Sequence, residues 1–294
     1  MTTEQLPPSG REYVRRAGEA AAAAVRIERG VPERMVVGCP WICPRCGDSW
    51  EGVPSPVTDA MIGRPICQCT EAARATAMAK ALQEAWVVAA RQVWSETGLP
   101  PKYAGYSFDG FERVPGTVLA LQKCREYAGT FAPGQQHGLM IFGKPGNGKT
   151  RIAVSTARII VGRTLTQVRY EAMDELVAGA RPAGNRQSWD YTRSDQAKRA
   201  ALLILDDIGQ DDSAPCRKEV YSIIDYRYRN NLPLIATTNG GEKELRERLG
   251  AAAVSRLIEI TTPVPNTADD FRPRLAKART ADRPPLTVAS GGQA

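Results

Sequence analysis

Apolar residues along this chain fall into two kinds of pattern. Leu139–Phe142, Ala201–Leu205 and Leu234–Ala236 are apolar at every position, as expected of strands buried on both faces of a parallel sheet. After the first run, Ile152, Ala153, Thr156, Ala157 and Ile160 recur at helical spacing, which predicts a helix. A further strand is expected near Thr166 to Tyr170. Glu71 to about Trp94 is rich in Ala, Leu, Gln, Glu and Arg and holds no Pro or Gly, so a long helix is predicted there. Ala17 and Ala20–Ala24 suggest a short helix near the start. Between these helices, Pro40, Pro44, Pro54, Pro56 and Pro65 exclude a long helix and fit a small loop-rich module.

These patterns divide the chain into an N-terminal arm at 1–36, a small module at 37–70, a linking helix at 71–98 and a larger α/β domain at 99–275. Thr97–Tyr103, reading TGLPPKY, punctuates the join. Residues 276–294, with Pro284, Pro285 and a closing SGGQA, read as a disordered tail. A length of 294 residues suits one large domain with a smaller appendage. The excess of 39 Lys and Arg over 32 Asp and Glu makes contact with a polyanion plausible, and nucleotide phosphate alone accounts for part of it. The N-terminus lacks a basic segment followed by an apolar one, and no apolar run approaches the roughly 20 residues a bilayer span needs. A cytoplasmic protein is expected, so the seven cysteines point to metal or core chemistry rather than disulfides.

Candidate chemistry concentrates between the first strand and the helix after it. Residues 143–150, GKPGNGKT, match G-x-x-x-x-G-K-[ST] without a gap. In such a loop Gly143, Pro145, Gly146, Asn147 and Gly148 form a backbone cradle whose N–H groups face the β- and γ-phosphates. Lys149 neutralises charge, Thr150 sits on Mg²⁺, and Arg151 follows at the helix start. The run Ala201–Leu205 ends in Asp206 and Asp207, a Walker B pattern. Asp206 would hold Mg²⁺ while Asp207 orients and deprotonates the attacking water. The third run ends in Thr237, Thr238 and Asn239, and Asn239 could reach the γ-phosphate or the water. ATP and Mg²⁺ are the expected cofactors.

GKPGNGKT, LLILDDIG, LIATTN and VSRL, in that order, resemble the AAA+ ATPases, and more narrowly the DnaC/IstB-type helicase-loader and transposition-helper ATPases. LPPKYAGYSFDGF ahead of the loop and DDFRPRL near the end are similar to the same group, so the resemblance covers residues 99–275. It implies a P-loop AAA+ parallel-sheet core and hydrolysis of ATP at a site between subunits. By the resemblance Asn239 is the sensor-1 residue, Arg256 an arginine finger acting on a neighbouring subunit, and Arg272 a second trigger arginine. Two departures stand out. Most AAA+ proteins place Glu where this chain has Asp207, and only 38 residues follow Arg256, too few for a full helical lid together with the basic tail. The second departure argues for the lidless loaders. The implied function is loading of a replicative, DnaB-like hexameric helicase onto single-stranded DNA, with self-association through the AAA+ interface. The alternatives are an IstB-like transposase helper and a nucleotide-gated adaptor with little hydrolysis.

Cys43, Cys46, Cys67 and Cys69 form C-x₂-C followed after 20 residues by C-x-C, four soft ligands for tetrahedral Zn²⁺. A redox pair at Cys43 and Cys46 is the competing reading, and it would leave the second pair without a role. Cys39 is a spare ligand; Cys124 and Cys216 read as packing residues. The module resembles N-terminal zinc domains of some bacterial and phage helicase loaders. Arg181, Arg186, Arg193, Lys198 and Arg199, interleaved with Trp189 and Tyr191, have the composition of a single-strand DNA contact and equally of a solvated helical face. The C-terminal Arg274, Lys277, Arg279 and Arg283 could add phosphate contacts.

Overall fold

The computed structural model describes residues 1–28, 41–50, 53–54, 61–62, 68–180 and 191–274. The chain forms two compact units, Met1–Gln92 and Val93–Ala294.

In the first unit, α1 (Pro8–Glu28) is longer than its alanine-rich centre suggested. Four two-residue strands follow: β1 (Trp41–Ile42), β2 (Ser49–Trp50), β3 (Val53–Pro54) and β4 (Met61–Ile62), paired antiparallel as β1 with β2 and β3 with β4. Then comes α2 (Gln68–Ser95). Leu6, Val14 and Ala22 on one side and Ala81, Trp86 and Ala89 on the other are buried. Tyr13 on α1 donates from its hydroxyl to Glu84 Oε2 on α2 at 2.7 Å. Arm, cysteine module and most of the long helix therefore cluster as one unit, and the boundary between Gln92 and Val93 falls inside α2 rather than at either of its ends.

The second unit continues through α3 (Pro101–Ala104), α4 (Val118–Thr130), β5 (Gly138–Phe142), α5 (Lys149–Thr164), β6 (Val168–Ala172), α6 (Met173–Ala180) and α7 (Tyr191–Arg199). After these come β7 (Leu202–Ile208), α8 (Ala214–Arg229), β8 (Leu234–Thr238), α9 (Glu242–Leu249), α10 (Ala251–Glu259) and β9 (Thr261–Pro265). The five strands β5 to β9 form one parallel sheet in the order β6-β7-β8-β5-β9. Numbered by their own appearance in the domain, that is 5-1-4-3-2. The inner strands are the uniformly apolar runs, because a strand covered on both faces has no solvent side to alternate toward. β9 carries Pro263 and Pro265 and lies at an edge, where a missing N–H costs no ladder bond on the open side. Met140, Leu203, Leu205, Ile223, Ile224, Val254 and Leu257 belong to the main core.

One side chain in that core is a guanidinium. Arg227 on α8 is fully buried and donates to the carbonyls of Ala197, Lys198, Ala200 and Pro233, tying the end of α7 to the start of β8. Burial pulls its pKa down to about 9, so it stays charged at neutral pH. The described residues beyond β9, 266–274, hold no complete helical lid.

Candidate functional site

The loop from Gly143 to Gly148 leaves the carboxyl end of β5 and enters α5 through Gly148, whose φ of 88° is left-handed. A segment from the far end of the domain lies across it. Asn266, just past β9, donates its N–H to Phe142 O at 2.8 Å, prolonging the β5–β9 ladder. Its side-chain amide donates to Asn147 O at 2.8 Å, while Asn147 Nδ2 donates to Asn266 O at 2.7 Å. Both residues are 0% exposed. Phe271 N–H then donates to Gly146 O, and the Phe271 ring meets Phe111 edge-on at 6.1 Å. A Cβ at Gly143 would stand 1.9 Å from the main-chain Asn266 O, so the closeness of this strap requires glycine there, while Gly146 is favoured by its left-handed φ of 74°.

Lys149 is 5% exposed, and its ammonium donates to Gly143 O at 2.9 Å, Lys144 O at 2.7 Å and Asn147 Oδ1 at 3.2 Å. Burial pushes its pKa down, while Asp207 and Asp206 pull it back up. The loop is thus shaped around its own lysine. Pro145 is part of the same curl. Arg151 points elsewhere: it lies over the Tyr106 and Phe111 rings at 5.7 and 5.2 Å and donates to Ser107 O and Asp109 O. In this structure it orders the segment ahead of the loop rather than the phosphate cradle.

Asp206 is 4% exposed and accepts from three hydroxyls. Thr150 Oγ1 is 3.0 Å from both carboxylate oxygens, Thr237 Oγ1 donates to Oδ1 at 2.5 Å, and Tyr170 OH donates to Oδ2 at 2.8 Å. Burial pushes the carboxyl upward, and the hydroxyls of Thr237, Tyr170 and Thr150 oppose that rise. β7 bulges between Leu205 and Ile208, and Asp207 takes a left-handed φ of 60°. Thr237 Oγ1 accepts the Asp207 N–H at 2.9 Å, and Asn239 Nδ2 donates to Asp207 Oδ1 at 3.0 Å. The pairing of Asp206 with Thr150 is a hard-oxygen donor set that fits Mg²⁺. A cavity of about 300 Å³ opens beside Asn239 at the carboxyl ends of β7 and β8, bounded on its other side by Glu244 and Arg248.

Arg256 on α10 is held by its own chain. It pairs with Asp225 Oδ1 at 2.6 Å, donates to Tyr221 OH, and lies over the Tyr221 and Tyr228 rings at 5.0 and 5.7 Å. Arg272 is exposed, with its N–H on Asp270 Oδ1, and close enough to depress the Lys149 pKa.

Among the nucleic-acid candidates, Arg193 is committed to ion pairs. It bridges Glu171 and Glu175 at 2.6 and 2.5 Å, and Arg169 holds the other oxygen of Glu171, whose side chain is 0% exposed. Arg199 is exposed; Arg181, Arg186, Trp189, Lys277, Arg279 and Arg283 lie outside the described residues, as do the side chain of Tyr191 and all of Cys39 and Cys67.

In the first unit the Sγ atoms of Cys43, Cys46 and Cys69 all lie within 4.8 Å of one another. Tetrahedral zinc with Zn–S bonds of ~2.3 Å separates sulfurs by about 3.8 Å, so the cluster fits three of four thiolate ligands. Gly47 N–H donates to Cys43 O and Cys43 N–H to Asp48 O, closing the knuckle turn, while Asp48 Oδ2 accepts from Gln68 N–H at the start of α2. Burial and the thiols of Cys46 and Cys43 push Cys69 up to about 11, a shift that a bound cation would reverse. Cys124 and Cys216 are buried separately in the second unit.

Tyr170 and Asn266 carry no motif, and only the packing brings them to the site. Among the described residues no helix is long and apolar enough to cross a membrane.

A family model for IstB-like ATP binding proteins matches residues 119–269. Among solved structures, the chain is similar to the DnaC helicase loader, with a TM-score of 0.52 and 26% identity over 56% of this chain and 98% of that one. It is also similar to DnaI, with a TM-score of 0.51 and 20% identity over 58% and 93%, a likeness of fold. No curated protein matches.

Proposed function

This chain belongs to the IstB-like ATP-binding protein family, and from that premise we propose that it is an ATP-driven loader of a hexameric replicative DNA helicase onto single-stranded DNA. One observation carries the nucleotide half of the reading: Lys149, Thr150, Asp206, Asp207 and Asn239 converge at the carboxyl ends of β5, β7 and β8, where a parallel sheet receives its ligand. The helicase half is supported by the likeness to a structure described as a helicase loader and by a three-thiol cluster ahead of the ATP-binding domain.

The chemistry asked of the residues is positioning and charge stabilisation. Gly143, Pro145, Gly146, Asn147 and Gly148 present main-chain N–H groups to phosphate at the start of α5. Lys149 exchanges part of its hold on the loop carbonyls for phosphate oxygens. Magnesium, when bound, neutralises phosphate charge, and Thr150 and Asp206 would hold it. Asn239 fixes Oδ1 of Asp207, so Oδ2 takes the proton of the attacking water. Arg256 supplies charge to a neighbouring subunit's transition state after leaving Asp225 and Tyr221, and Arg272 approaches the phosphates from the strap. Zinc held by Cys43, Cys46, Cys69 and Cys67 would complete the small module that grips the helicase.

The test is a steady-state ATPase assay with and without single-stranded DNA, run beside a pull-down against the hexameric helicase of the same source. Turnover stimulated by single-stranded DNA, together with helicase capture that requires the first unit, supports the loader. Stimulation by duplex DNA without helicase capture supports a transposase helper. ATP binding and helicase capture without turnover would support the adaptor reading, which the short reach of Asp207 favours.

A further inference from the structure

Of the three hydroxyls on Asp206, one comes from outside every motif. Tyr170 lies on the edge strand β6, is 2% exposed, and donates to Asp206 Oδ2 at 2.8 Å. Its main-chain N–H donates to Thr97 O at 2.8 Å. Its ring meets Tyr103 edge-on at 6.0 Å, Tyr103 packs on Tyr106 at 5.2 Å, and Arg151, the residue after Thr150, lies over Tyr106. The hydroxyl is therefore aimed by a ring fixed through its backbone and by an aromatic stack that returns to the phosphate loop.

We propose that Tyr170 is a positioning residue for the magnesium-holding carboxylate of Asp206. The inference rests on the nucleotide reading above. A cation at this site claims the Thr150 hydroxyl, which removes one of three donors from Asp206. What remains is one donor per oxygen, Thr237 on Oδ1 and Tyr170 on Oδ2. These two fix the carboxylate's torsion where almost no water reaches it. Thr237 cannot be removed cleanly, because the same hydroxyl accepts the Asp207 N–H. Tyr170 can.

Tyr170→Phe keeps the ring and its packing while deleting the hydroxyl. Binding of a fluorescent ATP analogue is measured in EDTA and then across a magnesium titration, with thermal unfolding followed in parallel. Affinity in EDTA should match the parent, and the magnesium concentration at half-maximal enhancement should rise about tenfold, the loss expected of a hydrogen bond to a charged group. Tyr103→Phe, whose hydroxyl is not on Asp206, should leave that midpoint in place. An unchanged midpoint in Tyr170→Phe overturns the inference, as does an equal shift in Tyr103→Phe or a uniform loss of affinity with and without magnesium. A parent protein that does not bind the analogue with or without magnesium refutes the nucleotide reading, whereas a parent that binds it with no magnesium dependence overturns the inference alone.

Discussion

Asn266 touches the phosphate loop from more than a hundred residues away, and its substitution tests whether the strap holds the loop in its working shape. Asn266→Ala deletes the donor to Asn147 O and leaves that carbonyl buried without its partner, while Asn147 Nδ2 still reaches the main-chain Asn266 O. Orphaning one buried acceptor costs about 2 kcal/mol. For a domain near 200 residues that corresponds to a fall in Tm of roughly 4–8 °C. Should the ordered loop then be present only about a tenth of the time, apparent ATP affinity falls about tenfold although no phosphate contact has been altered. Asn147→Ala loses the opposite bond and also an acceptor of Lys149, so its cost should be at least as large. In the double variant both carbonyls lose their donors and the opened strap admits water, so the loss should fall short of the sum by about 1 kcal/mol. The assay is thermal unfolding and ATP titration of the parent, the two single variants and the double. An Asn266→Ala protein with parental ATP affinity and a Tm within about 1 °C would refute the reasoning.

Lys149→Ala should abolish ATP binding by titration calorimetry while far-ultraviolet circular dichroism stays native, because the ammonium is the cation buried within the loop itself. Cys43→Ser should lower zinc content from about one per chain, measured by atomic emission, whereas Cys124→Ser should leave it unchanged. Arg256→Ala should leave ATP binding by single chains near parental yet depress assembled turnover, and adding Lys149→Ala chains should restore part of it. A mixing curve that never exceeds the sum of the two variants would place Arg256 outside any neighbour's site.

What the primary structure discloses here follows sequence distance. β5, the glycine loop and α5 are contiguous, so their apolar runs and turn residues declare both the elements and the chemistry. β7 and β8 are legible for a related reason, since burial on both faces makes them apolar throughout and the polar residues at their ends are conspicuous. Tyr170 sits in an edge strand between Arg169 and Glu171, a context that signals nothing about its hydroxyl. Asn266 follows two prolines and reads as an ordinary turn residue. Their roles arise from strand order, which places β6 beside β7 and β9 beside β5. Arg151, a candidate by its place after the motif, and Arg193, whose segment read equally as a single-strand contact or a solvated face, are bound by packing to rings, carbonyls or carboxylates of their own chain. The unit boundary at Gln92 and Val93 has no sequence signal, because a continuous helix conceals where its packing partners change.

The order in which strands enter the sheet also sets a timetable for synthesis. β5 begins at Gly138, but its two neighbours begin only at Leu234 and Thr261. At about 5–20 residues per second, the interval from Gly138 to Thr261 leaves this apolar strand without both partners for roughly 6–25 s. The nucleotide loop stays uncovered until Asn266 and Phe271 have been made. The bonds by which the strap orders the loop therefore form only once the chain has been translated past Phe271. Until then Leu139, Met140 and Ile141, buried in the folded domain, lack the strands that cover them, an interval of aggregation risk set by topology.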